Sequence, residues 1–181
     1  MTIIKSRIQK KYLEEVRPQL MKQGNFKNVM QVPVLKKIVI TMGVAKTAKE
    51  KGVVEEHVKE LMMISGQRPV TVKSQKNISN FKLKEGQIVA IKVTLRKKRM
   101  YDFFDRFCNL AAPRIRDFRG FNSKGDGRGN YTIGLEDQQA FCEVNLDAVK
   151  HQQGMHITFV TTAKNDEDMK LLLTMMGFPF K

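Results

Sequence analysis

Gly125, Gly127, Gly129 and Gly134 crowd together in GDGRGNYTIG (125–134), and a glycine-rich turn can cradle a phosphate on its backbone N–H groups. The spacing argues against it here. The pattern G-x-x-x-x-G-K-[ST] fits from Gly129 to Gly134, but Leu135 follows, so no lysine reaches the phosphates. G-x-G-x-x-G fails too, because Gly127 and Gly129 are followed by Asn130, Tyr131 and Thr132. His57 and His151 sit among polar neighbours, His156 lies in a strand-like run, and none has a Ser or Cys at a nucleophile spacing. Cys108 and Cys142 have no CxxC partner and no Cys/His ligand spacing, so they read as reduced, buried thiols of a cytosolic-type compartment. Asp166, Glu167 and Asp168 could imitate a metal site, but a helix start explains them more simply. No constellation remains that could run a reaction, so the residues imply neither an enzyme nor a cofactor.

The chemistry left is that of charge. The 181 residues carry a formal net charge of +15, and a soluble protein this basic usually meets a polyanion. Residues 1–100 hold 23 Lys+Arg against 7 Asp+Glu, whereas residues 101–181 are close to neutral, so the polyanion should lie against the first half. Residues 68–99 hold ten bases and one acid, Glu85, which leaves no room for salt-bridge lacing. A second basic stretch, PRIRDFRGFNSKGDGRGNY (113–131), places five bases beside four glycines and three aromatics, a mixture unsuited to a core. No apolar run is long enough for a membrane span, and MTIIKSRIQKKYLEEV lacks the apolar centre of a signal peptide.

The elements that must position these residues follow from periodicity. Ile8, Tyr12, Val16 and Leu20 predict a helix over 6–23, with a kink or break at Pro18. VPVLKKIVITMGVA (32–45) predicts a strand. A helix over 49–66 carries Val54, Val58, Leu61 and Met62 on one face and ends at Gly66. RPVTVK (68–73) is a short strand and 74–86 a polar loop. In the strand QIVAIKVTLR (87–96), Val89, Ile91, Val93 and Leu95 form the face to bury. Ile88, Ala90, Lys92, Thr94 and Arg96 form a mixed face left for a ligand. KKRMYDFFDRFCNLAAP (97–113) is an amphipathic helix with Met100, Phe103, Phe104, Phe107 and Leu110 inward. A short strand begins at NYTIGL, GMHITFVTTA (154–163) is a late strand, and a last helix starts at Asn165 as N-cap and stops at Gly177 and Pro179. The order predicts one α+β domain over 1–181 with projecting loops 74–86 and 113–131. Its sheet is mainly antiparallel, with helices on one face and an open RNA-binding face, a topology like that of RNA-recognition modules.

Six stretches follow one another in the order and spacing of a single family: 29–44, 64–86, 91–106, 113–120, 127–138 and 161–180. The chain resembles, essentially end to end, the bacterial-type large-subunit ribosomal protein five family. The resemblance implies a non-catalytic, cofactor-free constituent of the large ribosomal subunit in the cytoplasm. It would bind 5S ribosomal RNA, help attach it to the central protuberance beside two other ribosomal proteins, and meet large-subunit rRNA. It would also touch the peptidyl-site transfer RNA and bridge to a small-subunit head protein, with no membrane contact.

Residue by residue, the family's RNA-contacting sheet positions fall at Thr41, Gln67 and Thr94, with Lys92 and Arg96 flanking Thr94. Position 41 is usually asparagine in the family, and threonine there reaches less far and donates once. The transfer-RNA loop matches Ser74 to Lys82, bringing Lys73, Ser74, Lys76, Asn77 and Lys82 to a phosphate backbone. Ile78 and Phe81 either anchor that loop to the domain or pack on RNA. Arg114, Arg116, Arg119 and Arg128 would face RNA or an acidic small-subunit partner, with Phe118, Phe121 and Tyr131 pinning the arm's base and its glycines allowing it to bend. A loop ordered by nothing is the bland alternative. A regulatory RNA-binding module outside the ribosome, or an RNA-modifying enzyme, are the competing classes.

Overall fold

The computed structural model describes residues 6–24, 26–45, 52–145 and 151–181. Five strands, β1 (Leu35–Gly43), β2 (Val70–Lys73), β3 (Ile88–Leu95), β4 (Tyr131–Leu135) and β5 (Met155–Thr161), form one antiparallel sheet in the order β2-β3-β1-β5-β4. Five α-helices join them: α1 (Arg7–Lys11), α2 (Arg17–Gln23), α3 (Val53–Ser65), α4 (Lys97–Arg106) and α5 (Asp166–Met176). The fold is therefore α+β. Strands β2-β3-β1-β5 keep the order of a split βαβ plan, and β4 is added beyond β5. The chain divides into two compact units. The first comprises Met1–Ile38, Leu95–Ile133 and Thr158–Lys181, and the second Val39–Thr94 and Gly134–Ile157.

The first unit is built on aromatic packing. Phe104 of α4 meets Phe159 of β5 edge-on at 5.9 Å, and Phe107 lies 6.0 Å from the same ring. Phe178, just after α5, lies 5.3 Å from Phe159, 6.2 Å from Phe104 and 5.4 Å from Tyr131. All of these rings are buried, and each such pair adds to the burial of its area. Pro18 does not break the first helix. A π-helical turn, Tyr12–Val16, opens the helix just ahead of it, with Arg17 N–H reaching back five residues to the Tyr12 carbonyl. The wider turn makes room for a ring that would otherwise strike the preceding turn. Tyr12 donates its hydroxyl to the Pro33 carbonyl at 3.1 Å, and burial pushes its pKa up to about 12.

A second π-helical turn, Phe107–Ala111, corrects the stripe expected on α4. Met100, Phe103, Phe104 and Phe107 are buried as the spacing requires, but Leu110 is 49% exposed. One extra residue in the turn rotates the apolar face, and Cys108, Ala111 and Ala112 point inward instead. Cys108 is buried and its thiol pKa is raised by burial, whereas Cys142 is exposed, which corrects the expectation that both thiols are internal.

In the second unit α3 also turns differently from its pattern. Val53, His57, Leu61 and Ile64 are buried, while Met62 is 50% exposed and Val54 and Val58 are half-buried. The inward stripe is displaced by one position and takes in His57, whose Nδ1 lies 2.9 Å from Glu60 Oε2 on the same helix while its buried Nε2 finds no hydrogen-bond partner among the described residues. Residues 49–51 of the expected helix lie outside the described residues. Gly66 ends α3 at φ +65, and Gly177 ends α5 at φ +97, as their sequence positions imply. At the start of α5, however, Asn165 makes no side-chain cap bond.

Phe178 is the ring most widely shared in the first unit. Phe178→Ala is expected to cost roughly 3–5 kcal/mol through lost transfer energy and the cavity left behind. Denaturant unfolding of both proteins at one temperature checks it.

Candidate nucleic-acid interface

Alternation along β1 and β3 separates two chemistries in the second unit. Ile40 and Met42 of β1, with Ile91 and Val93 of β3, are almost wholly buried. The residues between them emerge on the other side: Val39, Thr41 and Gly43 from β1, and Ala90, Lys92 and Thr94 from β3. Lys92 is exposed, and Thr41 and Thr94 are half-buried. The face expected to bury on β3 is the buried one, although Val89 at its start is only half-covered. Gln67 reaches the same place from the turn after α3. Its Nε2 donates to the Thr94 carbonyl at 3.4 Å, leaving the Thr94 hydroxyl outside that bond. Ser65 holds the turn by donating to the Leu61 and Gln67 carbonyls at 2.6 and 2.9 Å. Arg96, two residues beyond Thr94, is exposed in extended backbone immediately before α4 and belongs to the first unit.

Antiparallel pairing puts Val70 opposite Lys92 and Val72 opposite Ala90. Val70 and Val72 therefore share this open face, where they are 68% and 40% exposed. Neither valine stands out in the amino-acid sequence as a surface residue. Their alternation in RPVTVK was visible, but only the position of β2 at the sheet's edge shows that nothing covers them. A flat surface of hydroxyl, ammonium, amide and small apolar groups can bond to ribose and phosphate oxygens and lie against base faces.

The loop 74–86 is folded on itself. Ile78 and Leu83 exchange both backbone hydrogen bonds at 3.0 and 3.1 Å around a 3-10 turn, Ser79–Phe81. Lys82 sits at φ +51 to close it. Asn77 Oδ1 accepts from Glu85 N–H at 2.7 Å, and Ser74 donates to the Lys76 carbonyl at 2.8 Å. The loop's polar side chains thus hold its own shape, while Lys73, Lys76 and Lys82 are exposed. Ile78 and Phe81 are not anchors: they are 41% and 74% exposed. The mini-hairpin bonds supply the order that hydrophobic anchoring was expected to give.

The arm 113–131 is likewise held rather than loose. Phe118 packs edge-on against Phe121 at 4.9 Å, Phe121 stacks on Phe107 at 5.8 Å, and Tyr131 donates its hydroxyl to the Asn122 carbonyl. Burial pushes the Tyr131 pKa up to about 12. Close approach accounts for two of the arm's glycines beside α5 and β5, Gly125 and Gly129, whereas Gly127 has open space beside it and a positive φ of +78. A Cβ on Gly129, at φ +77, would strike the Ala163 carbonyl, and one on Gly125 would lie 2.7 Å from the Asp166 carboxylate. That carboxylate accepts from Gly127 N–H at 3.1 Å and Gly129 N–H at 3.2 Å. The turn resembling a phosphate loop is thus filled by an aspartate of this chain, 37 to 39 residues away, a partner that local spacing could not reveal. Arg114, Arg116, Arg119 and Arg128 are all exposed. Arg116 stands 3.9 Å from Asp117 with both side chains almost fully in water, a pairing worth little.

No group of His, Cys, Asp and Glu among the described residues is arranged to hold a metal, and no helix among them is long and apolar enough to cross a membrane.

Asp126 organises the arm's tip, accepting from Arg128 N–H at 2.8 Å, Asn130 N–H at 2.9 Å and Asn130 Nδ2 at 2.7 Å. Desolvation raises its pKa, but these hydrogen bonds outweigh that and hold it below the usual aspartate value. A depressed folded value makes the contribution complete above the unfolded pKa and removes it as pH falls through the folded one. An acid titration followed by NMR should show the amide protons of Arg128 and Asn130 shifting at a pH below an ordinary aspartate midpoint. Asp126→Asn should abolish the step.

Two family models match consecutive parts of the chain: "Ribosomal protein L5" over residues 28–84, and the C-terminus model of the same ribosomal family over residues 88–180. Among similar proteins is a large ribosomal subunit protein uL5 from Protochlamydia amoebophila, 59% identical over 176 residues, covering 97% of this chain and 95% of that one. Another of the same name, from Chlamydia felis, is 58% identical and covers 97% and 98%.

Proposed function

The chain belongs to the ribosomal protein L5 family and is a structural, non-enzymatic, rRNA-binding constituent of the large ribosomal subunit; on that premise we propose that its open sheet face binds 5S ribosomal RNA and helps attach it to the central protuberance. The carrying observation is the sorting of β1 and β3: an apolar side buried at Ile40, Met42, Ile91 and Val93, and a free side bearing Thr41, Lys92 and Thr94, with Gln67 bound to the Thr94 backbone. Thr94, held half-buried on that face, offers its hydroxyl to an RNA oxygen and Lys92 beside it neutralises a phosphate, while Arg96, in the first unit, offers a further exposed cation to the RNA backbone. Thr41 occupies the neighbouring strand with a shorter reach than an amide and contributes one donor. Val70 and Val72 give an apolar margin against which a base or ribose can lie.

The self-bonded loop 74–86 is suited to a second RNA, which we assign as transfer RNA in the peptidyl site. Its lysines meet the backbone, and Phe81 at the tip offers an exposed ring for stacking. The exposed arginines of the arm then face rRNA or an acidic surface of a small-subunit head protein. Two further 5S-associated ribosomal proteins complete the neighbourhood. Subunit membership disfavours a free-standing regulatory module.

Two measurements test this reading. The isolated protein should bind 5S RNA with log K falling by about 0.7–0.9 per neutralised phosphate against log salt. Thr94→Val should weaken that binding by roughly 1–3 kcal/mol, because the RNA partner of the hydroxyl is left unpaired. Thermal stability lost with unchanged affinity of the folded fraction would make Thr94 structural instead.

Phe81→Ala separates the two RNA surfaces. Its exposure predicts a stability change within about 0.5 kcal/mol. Affinity for 5S RNA should stay within about threefold, or ~0.7 kcal/mol. Retention of peptidyl-site transfer RNA on ribosomes carrying the variant should fall, and filter binding measures both. A large loss of 5S affinity with transfer RNA held normally would exchange the two assignments.

A further inference from the structure

Residues 166–181 meet the arm repeatedly along its length. Phe121 N–H donates to the Pro179 carbonyl at 2.9 Å, and Lys181 N–H donates to the Phe121 carbonyl at 2.8 Å, forming a parallel bridge between Phe121 and Phe180. Gly120 fits beside it at φ +93, where a Cβ would come within 2.9 Å of Lys181 N. Two residues on, Ser123 Oγ receives Lys170 Nζ at 3.2 Å. Then the Asp166 carboxylate takes the N–H groups of Gly127 and Gly129. At the far end, Tyr131 packs on Phe178 at 5.4 Å and on Phe180 at 5.2 Å. Among the described residues, one long-range hydrogen bond reaches the arm from elsewhere, Thr161 Oγ1 donating to the Gly129 carbonyl at 2.6 Å, and bonds within the arm span four residues or fewer apart from that of the Tyr131 hydroxyl to Asn122.

We propose that residues 166–181 are the template on which the arm folds, and that Asp166, Phe178 and Phe180 are positioning residues for its arginines. Four glycines between 120 and 129 give the free arm a large conformational entropy, which local turns alone cannot offset. Docking on the template supplies long-range hydrogen bonds at three separate points and ring packing at a fourth. Arg119 and Arg128 therefore lose most of their long-range support when the template is undocked, keeping only the Thr161 hydroxyl on the Gly129 carbonyl and the stack of Phe121 on Phe107. The arm cannot order during synthesis until residues through 181 are available. None of this depends on which partner the arginines meet.

The test is limited trypsin digestion of the full chain and of two variants, Phe180→Ser and Asp166→Asn, with fragments identified by mass. Phe180 is half-buried and Asp166 is near the surface, so both variants should keep the core. Trypsin needs locally unfolded backbone, so cutting after Arg119, Lys124 and Arg128 reads the order of the arm. Cutting after Lys76 and Lys82, in the other unit, reports general loosening. Each variant should be cut in the arm at least about tenfold faster, with cutting after Lys76 and Lys82 unchanged. Unchanged arm cleavage in either variant, or an equal rise at Lys76 and Lys82, overturns the proposal.

Discussion

A sheet that offers one side to a polyanion must bury its large apolar side chains mainly on the other, and strand alternation is the constraint that permits this. In β3 the helix-side residues Ile91, Val93 and Leu95 are at most 2% exposed, while Lys92 between them is in water. A shift of one residue in register would bury an ammonium and expose a row of aliphatics, a change no local adjustment could offset. The position of Thr94, the reach of Gln67 and the direction of Lys92 all inherit their precision from that register.

This constraint also decided what could be read from the amino-acid order. The two-residue alternation of β3 is explicit, so its faces and its outward threonine were legible. Gly66 and Gly177 were legible as helix ends because left-handed backbone favours glycine. Helical stripes were less so. Leu110 and Met62 fit a 3.6-residue period yet face water, one because a π turn inserts a residue, the other because α3 turns Val53, His57 and Ile64 inward beside Leu61. Neither cause has a signature in hydrophobic spacing. Phe81 misled for a different reason: an aromatic in a loop suggests an anchor, but this loop is closed by backbone bonds between Ile78 and Leu83.

The arm shows how a motif can be chemically apt and differently used. Successive glycine N–H groups do converge on an anion, as a phosphate-binding turn would require, but the anion is the carboxylate of Asp166. Asp166 at the start of α5 then has a role beyond the helix dipole. Sequence separation hid this pairing, since nothing near Gly127 names a partner 39 residues downstream.

The edge strand β2 carries a consequence for the protein before it reaches RNA. An edge presents unpaired backbone groups, and Val70 and Val72 beside them are largely uncovered, which together make a template for another copy's strand. Arg68 and Pro69 before the strand, and Lys73 at its end, where the pairing also shifts register, are the features that discourage such growth. Two of these three guards are charges, and a charge guards only as far as its field extends. At molar salt that distance shrinks to about 3 Å, so the free protein's colloidal stability rests on ionic strength as well as on sequence, and handling it in concentrated salt trades RNA release against strand-to-strand self-association.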